Sequence, residues 1–157
     1  MKLIQFDIEL DVNTEKTTVK PIAEFVINEI LLNSPEKIFC VIRDTFDTMH
    51  LADEFVFEIA FNYIFKPIGI FLIARGDVSS VCISVRGIFM RALLLGASSI
   101  ILLYNHPSGS VEASSADLTS AHKLYDAGKL LGITVADFII LGRDTYYSFS
   151  EHNILNN

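Results

Sequence analysis

The amino-acid sequence predicts a single α/β domain in which helices cover both faces of a mixed β-sheet. The chain has 157 residues, of which 51% are hydrophobic, enough to bury one sizeable core and too few for two typical domains. Apolar runs of strand length alternate with segments whose apolar residues recur at the helical period. Strands that alternate with helices are typical of a sheet packed on both sides. We therefore expect residues 1–157 to form one domain.

The N-terminal third of the chain is predicted to lead into this domain. Residues 1–18 alternate loosely between apolar and polar side chains, which is typical of an edge strand or a mobile arm. Apolar residues between positions 21 and 32 recur at a helical period, and Pro21 suits a first turn, so an amphipathic helix is predicted there. A second helix is predicted to begin after Ser34, a capping residue. Residues 19–50 are thus interpreted as a helical lead-in.

Residues 51–151 are predicted to form the core of the domain. Runs rich in Phe, Ile and Val are separated by turn residues, and the helical segments end at glycines. The predicted strands are residues 55–61, 68–74, 81–84, 99–104, 135–141 and 146–149. The predicted helices are residues 86–95 and 115–131, ended by Gly96 and Gly132.

The charge and the cysteines argue against several classes of protein. A formal net charge of -7 with only 12 Lys and Arg residues disfavours binding to nucleic acid or to anionic membranes. The longest uncharged apolar stretch, residues 92–104, is too short to cross a bilayer, and no signal peptide is recognisable. We expect a cytoplasmic protein without a membrane partner, in which Cys40 and Cys82 are buried thiols.

The most informative segment is the polar loop Tyr104-Asn105-His106-Pro107-Ser108-Gly109, which directly follows a buried strand. Such a loop presents its histidine at the mouth of a cleft, a common place for chemistry. Asp117 lies in the first turn of the next predicted helix, from which its side chain can reach back toward His106. The pattern Ser114-x-x-Asp117 also predicts a helix cap, worth roughly 0.5–1 kcal/mol without any metal. Both interpretations of Asp117 stay open.

Together with their surroundings, these residues resemble the RadC-like branch of the JAB (JAMM, MPN) metallohydrolase family. The resemblance covers most of the chain and implies a JAB/MPN-type domain with a cytidine-deaminase-like fold. The matching segments are Asn105-His106-Pro107-Ser108-Gly109, Ser114 with Asp117, residues 124–133, Asp137, residues 139–142 and residues 146–148. Upstream, Gly76 and residues 86–93 resemble the Gly-Thr turn and the Arg-Ala-Leu helix of that family.

The resemblance also implies a zinc centre, and this chain departs from it. In the family, two histidines and an aspartate hold the zinc, a glutamate acts as general base, and a serine helps to stabilise the oxyanion. His106 and Asp117 match two of the ligands, and Ser114 matches the serine. Tyr104 stands where the first histidine is expected, and Leu72 stands where spacing from the Gly-Thr turn places the glutamate. Two ligands are fewer than the three of a catalytic zinc.

Further residues are expected to line the same cleft. Asp137 and Phe138 match the family's Asp-His pair with the histidine replaced, and Ser108 belongs to the loop. With Leu72, Tyr104 and Phe138 around the former metal cavity, we expect that cleft to be dry and apolar.

We therefore expect a RadC-like JAB domain that has lost its zinc hydrolase centre and needs no cofactor. It would act as a binding or scaffolding module for an unidentified protein or peptide, or self-associate. The alternative is an active zinc-dependent peptidase or isopeptidase whose ligand set is completed by Tyr104 or by His50, His122 or His152. A third hypothesis, nucleic-acid binding, follows from the association of this bacterial family with DNA repair, and the acidic balance argues against it.

Overall fold

Seven strands and three helices make up the residues that the computed structural model describes, 1–28, 31–76 and 83–156. The strands are β1 (Lys2–Asp11), β2 (Lys16–Val26), β3 (Glu54–Phe61), β4 (Pro67–Gly76), β5 (Ser99–Asn105), β6 (Thr134–Leu141) and β7 (Tyr146–Ser148). The helices are α1 (Pro35–Phe46), α2 (Val85–Leu95) and α3 (Ser115–Leu131). Short 3-10 turns follow α1 at Thr48–His50 and lie near the end of the chain at Ile154–Asn156.

The strands form one mixed sheet in the order β2-β1-β4-β3-β5-β6-β7. β1 is parallel to β4 and β5 is parallel to β6, whereas the other neighbouring pairs are antiparallel. α1 packs on one face of the sheet, and α2 and α3 pack on the other. This architecture confirms the predicted fold class, a mixed sheet with helices on both faces.

The alternation of side chains along the strands divides the interior into two hydrophobic clusters. The cluster beneath α2 and α3 includes Val56, Tyr104 and Phe138. The cluster beneath α1 includes Phe57, Leu103 and Ile139, the sequence neighbours of the residues just named. Because successive strand residues point to opposite faces, the face on which a residue lies decides which site it can reach.

The helix predicted for residues 21–32 is wrong. Lys16–Val26 is a strand that pairs antiparallel with β1, and Pro21 lies beside a bulge in that pairing. Two residues assigned to the buried side of the helix, Ile22 and Val26, are 52% and 84% exposed. The hairpin with β1 supplies backbone hydrogen bonds that override the local helical period. Residues 19–50 therefore contain a single described α-helix, α1, and residues 1–18 hold β1 and the start of β2.

Two smaller predictions also need correction. The strand predicted at residues 81–84 falls partly outside the described residues, and its last two residues, Ile83 and Ser84, precede α2 without forming a strand. Cys40 is a free thiol that is only half-buried, because it lies beside a groove between α1 and the end of β2. Cys82 lies outside the described residues.

The helices are too short or too polar to cross a membrane. Over the described part of the chain, no helix has the length and the continuous apolar composition that a bilayer span requires.

Candidate functional site

The candidate site begins where β5 delivers Tyr104 and His106 to the same side of the sheet. All seven residues of β5 are buried between β3 and β6, because they alternate between the two hydrophobic clusters. Tyr104 and His106 are two residues apart, so their side chains lie on the face that α2 and α3 cover.

The loop after β5 is held in place by backbone contacts. His106 N donates to Leu141 O at 3.1 Å, and Gly109 N donates to His106 O at 2.8 Å. Gly109 has φ +79, a left-handed conformation that glycine adopts without strain. The loop packs closely on the β6–β7 turn, where a Cβ on Gly142 would meet Val111 Cγ1 at 2.8 Å. The loop therefore presents His106 from a fixed position.

The imidazole of His106 is oriented by its own loop. Its Nδ1 lies 2.9 Å from the carbonyl oxygen of Ser110, so Nδ1 carries the proton and donates it to that oxygen. Metal-ligating histidines are commonly oriented by such a backbone carbonyl. The ring of His106 is therefore oriented in the way that is common for a metal ligand.

Asp117 forms the helix cap that the sequence left open. Its Oδ2 accepts hydrogen bonds from Ser114 N at 2.8 Å and from Ser114 Oγ at 2.6 Å. In return, Asp117 N donates to Ser114 Oγ at 3.1 Å, which completes a capping box at the start of α3. The hydroxyl proton of Ser114 is thus directed to Asp117, and both side chains have a structural role in the folded domain.

Tyr104 fills the position of the missing histidine as a buried neutral phenol. It is 3% exposed and stacks on Phe138 with ring centroids 4.8 Å apart. Burial raises the pKa of the Tyr104 phenol well above its ordinary value, and the nearby Asp117 and Glu54 carboxylates raise it further. The side chains that usually bind zinc are those of Cys, His, Asp and Glu, so a tyrosine is not a usual replacement for the histidine.

Glu54 is an acidic residue of the site that the sequence analysis missed. It is 8% exposed at the start of β3. Burial raises the pKa of its carboxyl group, Asp117 raises it as well, and His106 opposes the shift. Glu54 therefore lies close enough to both residues to interact with them electrostatically. The sequence signal that could have identified Glu54 is an acidic residue at the start of a continuous apolar strand.

Asn105 fixes the start of β3 beside the loop. Its Oδ1 accepts a hydrogen bond from Phe55 N at 2.7 Å, and its Nδ2 donates to Asp53 O at 3.0 Å. These contacts clamp the residues on either side of Glu54 to the end of β5. The buried Asn105 side chain therefore positions the Glu54 carboxylate relative to His106.

Leu72 does not lie at this site. It pairs with Phe57 and packs in the cluster beneath α1, on the face opposite Tyr104. A bulge between Val56 and Phe57 shifts the register of β3 and β4. The interpretation of Leu72 as the position of the general base is therefore wrong, because Leu72 lies on the opposite face of the sheet from Tyr104. The acidic group near His106 is Glu54.

Asp137 also faces away from the site. It pairs with Ile101, on the side of the sheet that α1 covers. Its carboxylate accepts hydrogen bonds from Phe138 N at 2.7 Å, Ser150 N at 2.9 Å and Ser148 Oγ at 2.5 Å. Burial raises the pKa of Asp137, and these hydrogen bonds oppose the shift. Asp137 thus joins β6 to β7 and to the turn that follows, and the prediction that it lines the cleft is wrong.

The other two residues predicted to line the cleft, Ser108 and Phe138, belong to the loop and to the core. Ser108 is exposed, and its Oγ accepts a hydrogen bond from Ser110 N at 3.2 Å within the loop. Phe138 is fully buried beneath Tyr104, so it belongs to the core. Glu54 interacts electrostatically with His106 and Asp117, and Tyr104 interacts electrostatically with Asp117 and Glu54. The site is consequently more acidic than the dry, apolar cleft that we expected.

The chain supplies fewer family ligands than a catalytic zinc normally has. His106 and Asp117 match two of the three, and a buried tyrosine, Tyr104, stands at the third position. Among residues 1–28, 31–76 and 83–156, no group of three or more His, Cys, Asp or Glu side chains is arranged to hold a metal ion. His50 is engaged with Asp47, and His152 contacts the carbonyl oxygen of Ser148.

Comparison with known proteins places this chain in a family. A family model described as the RadC-like JAB domain matches residues 32–154. The chain belongs to the RadC-like JAB domain family. This confirms the predicted resemblance, and the match begins at Leu32, so β1 and β2 precede the part of the chain that it covers.

Relatives of this RadC-like JAB domain include several bacterial proteins named UPF0758. One from Alkaliphilus metalliredigens (strain QYMF) is 32% identical over 129 residues, 82% of this chain and 55% of that protein. One from Desulfitobacterium hafniense (strain DSM 10664 / DCB-2) is 33% identical over 125 residues, 80% of this chain and 54% of that protein. The chain thus spans about half the length of these curated relatives.

Replacing Asn105 with alanine tests the contact that positions Glu54. We expect Asn105→Ala to lower the free energy of unfolding by about 2–3 kcal/mol, because Phe55 N and Asp53 O lose their partner in a buried setting. Urea denaturation measures this loss. The exposed control Asn13→Ala should change stability by less than about 0.5 kcal/mol. Equal small losses in both variants would contradict the role of Asn105.

Proposed function

We propose that this RadC-like JAB domain has lost zinc hydrolase activity and acts as a protein-binding module. The observation that carries the proposal is the buried, stacked Tyr104 at the position of a histidine ligand. A catalytic zinc needs three protein ligands and one open position, and His106 and Asp117 supply two.

The presence of Glu54 does not restore hydrolysis by itself. A general base contributes about 10²–10⁴-fold to a reaction rate, whereas metal activation of the attacking water adds several kcal/mol of its own. Without a bound metal, Glu54 faces a water molecule of ordinary pKa. The position of Glu54 near Asp117 favours binding, because neighbouring carboxylates attract a cation between them.

The chemistry of the site suggests a peptide with a basic side chain as partner. The resemblance to JAB hydrolases implies a cleft that receives a peptide or isopeptide bond. In this chain Glu54 and Asp117 make that cleft acidic, and the net charge of -7 favours basic partners throughout. We infer that an extended peptide places a lysine ammonium group near these two carboxylates.

An NMR titration tests this binding. We expect a short capped peptide with a central lysine to shift the amide signals of His106 and Gly109, and a peptide with norleucine in place of lysine to shift them much less. Glu54→Gln should weaken binding by about fivefold, the value of a 1 kcal/mol charge interaction, whereas Glu15→Gln, an exposed control far along the β1–β2 hairpin, should leave it unchanged. Equal shifts with both peptides, or none at the loop, would contradict the proposal.

A second candidate is a zinc hydrolase in which Glu54 acts as the third ligand. The observation that favours it is the electrostatic proximity of Glu54 to both His106 and Asp117. It predicts zinc-dependent cleavage of peptide or isopeptide substrates that disappears in Glu54→Gln and in Asp117→Ala. Cleavage with those properties would favour this candidate over a binding module, and its absence with zinc in excess would exclude it.

A further inference from the structure

A second acidic residue of β3, Glu58, is buried without a partner. It lies four residues beyond Glu54 on the same face of the strand, between Phe71 of β4 and Leu102 of β5. The side chain is 0% exposed, and neither carboxylate oxygen has a hydrogen-bond partner among the described residues. An ionised carboxylate in such a place is strongly destabilising unless it is paired.

The cation that acts electrostatically on Glu58 is Arg91 on α2. Its Nε is also buried without a partner in the described part of the chain, while one of its terminal nitrogens donates to Gly87 O at 2.9 Å. The guanidinium carbon lies 5.9 Å from the centre of the Phe71 ring. Arg91 is thus close enough to act on Glu58 electrostatically, yet it makes no ion pair with it within 4.0 Å.

The groups around Glu58 leave Arg91 as its main charged neighbour. β4 and β5 present Phe71 and Leu102 directly beside it. Farther along the same face, β5 carries Tyr104 and β3 carries Glu54, and neither contributes to the shift at Glu58. Burial raises the pKa of Glu58 well above its ordinary value, and Arg91 opposes that shift only in part.

We propose that Glu58 is a proton-sensitive contact that controls how firmly α2 packs on the sheet. In its protonated form the side chain is a neutral group that fits between β3, β4 and α2. On losing its proton it becomes a buried anion, and α2 moves away from the sheet to let water reach it. The side of α2 that would open carries Ile88, Phe89 and Ala92, which pack in the same cluster as Tyr104. The state of Glu58 therefore bears on the access of water to the interior beneath the candidate site.

The pH dependence has a definite sign. Because the folded state binds the Glu58 proton more tightly than the unfolded chain, its contribution to stability is complete below the ordinary pKa of a glutamate. It is lost as the pH rises toward the higher pKa of the folded state. In that interval the ratio of unfolded to folded protein rises by up to about tenfold for each pH unit, which corresponds to one proton.

Urea unfolding and amide hydrogen exchange test the proposal between about pH 5 and about pH 8. In wild-type protein we expect the unfolding equilibrium to shift toward the unfolded state with rising pH, and the protection factors of α2 amides to fall. Glu58→Gln and Glu58→Met should remove most of this pH dependence and preserve protection at the higher pH. Arg91→Met should extend it to higher pH, because the cation that opposes the upward shift of the Glu58 pKa is gone.

The matched control is Glu15→Gln, an exposed acid in the β1–β2 turn, which should keep the wild-type pH dependence. If both Glu58 variants show the same pH dependence as wild type, the proposal is overturned. A loss of stability in Glu58→Met at every pH, with no change in slope, would also overturn it, because Glu58 would then be an ionised partner of Arg91.

Discussion

Tyr104→His is expected to turn this domain into a zinc-binding protein. The substitution removes the buried phenol and places a third ligand on the same strand face as His106 and near Asp117. We expect the affinity for zinc to rise by at least roughly a hundredfold, because the set then reaches the three protein ligands typical of a catalytic zinc. Isothermal titration calorimetry at neutral pH measures the change.

Two matched variants make that experiment specific. Tyr104→Phe removes the hydroxyl without adding a donor and should leave zinc binding as weak as in wild type. Adding Asp117→Ala to Tyr104→His should reduce the affinity again, since the site returns to two ligands. If Tyr104→His binds zinc no better than Tyr104→Phe, the missing histidine is not what separates this chain from a metal centre.

Phe138→Ala is expected to destabilise the domain more than any change on its surface. Phe138 is 0% exposed and stacks between Tyr104 at 4.8 Å and Phe149 at 4.9 Å. Its truncation should cost about 3–5 kcal/mol, which combines lost burial with the cavity left behind. Such a loss approaches the whole stability of many domains of this size. Urea or thermal unfolding measures the loss.

The control for this truncation is Tyr63→Ala in the β3–β4 turn. Tyr63 is 89% exposed, so its removal should change stability by less than about 0.5 kcal/mol. A small effect at Phe138 would mean that it lines an open cleft, as the sequence suggested. A large effect identifies it as part of the core beneath Tyr104.

The elements that sequence patterns predicted well are those with strong local signals. α3 begins and ends at the predicted residues, because the Ser114 cap and the left-handed Gly132 are both encoded locally. The loop around His106 was recognisable for the same reason, since its turn residues are contiguous. β2 was missed because its helix-like period is overridden by pairing with the preceding strand, β1.

Glu54 escaped prediction for a related reason. Counting back along one strand from Gly76 leads to Leu72, whereas the antiparallel neighbour β3 brings Glu54 directly opposite Gly76. Glu54 and Gly76 are neighbours on adjacent strands, which spacing along one strand does not show. The bulge after Val56 shifts the register of the two strands further. The position of Asp137 was mispredicted for a similar reason. Consecutive residues of β6 lie on opposite faces of the sheet, one at the site and the other beneath α1.

The most direct test of zinc loss is the metal content of the wild-type chain, purified without chelator and measured by inductively coupled plasma mass spectrometry. Because His106 and Asp117 match two of the three family ligands and a buried tyrosine, Tyr104, stands at the third position, we expect far less than one zinc per chain after dialysis. One zinc per chain that survives dialysis, and that disappears in both His106→Ala and Asp117→Ala, would contradict the loss of the metal centre.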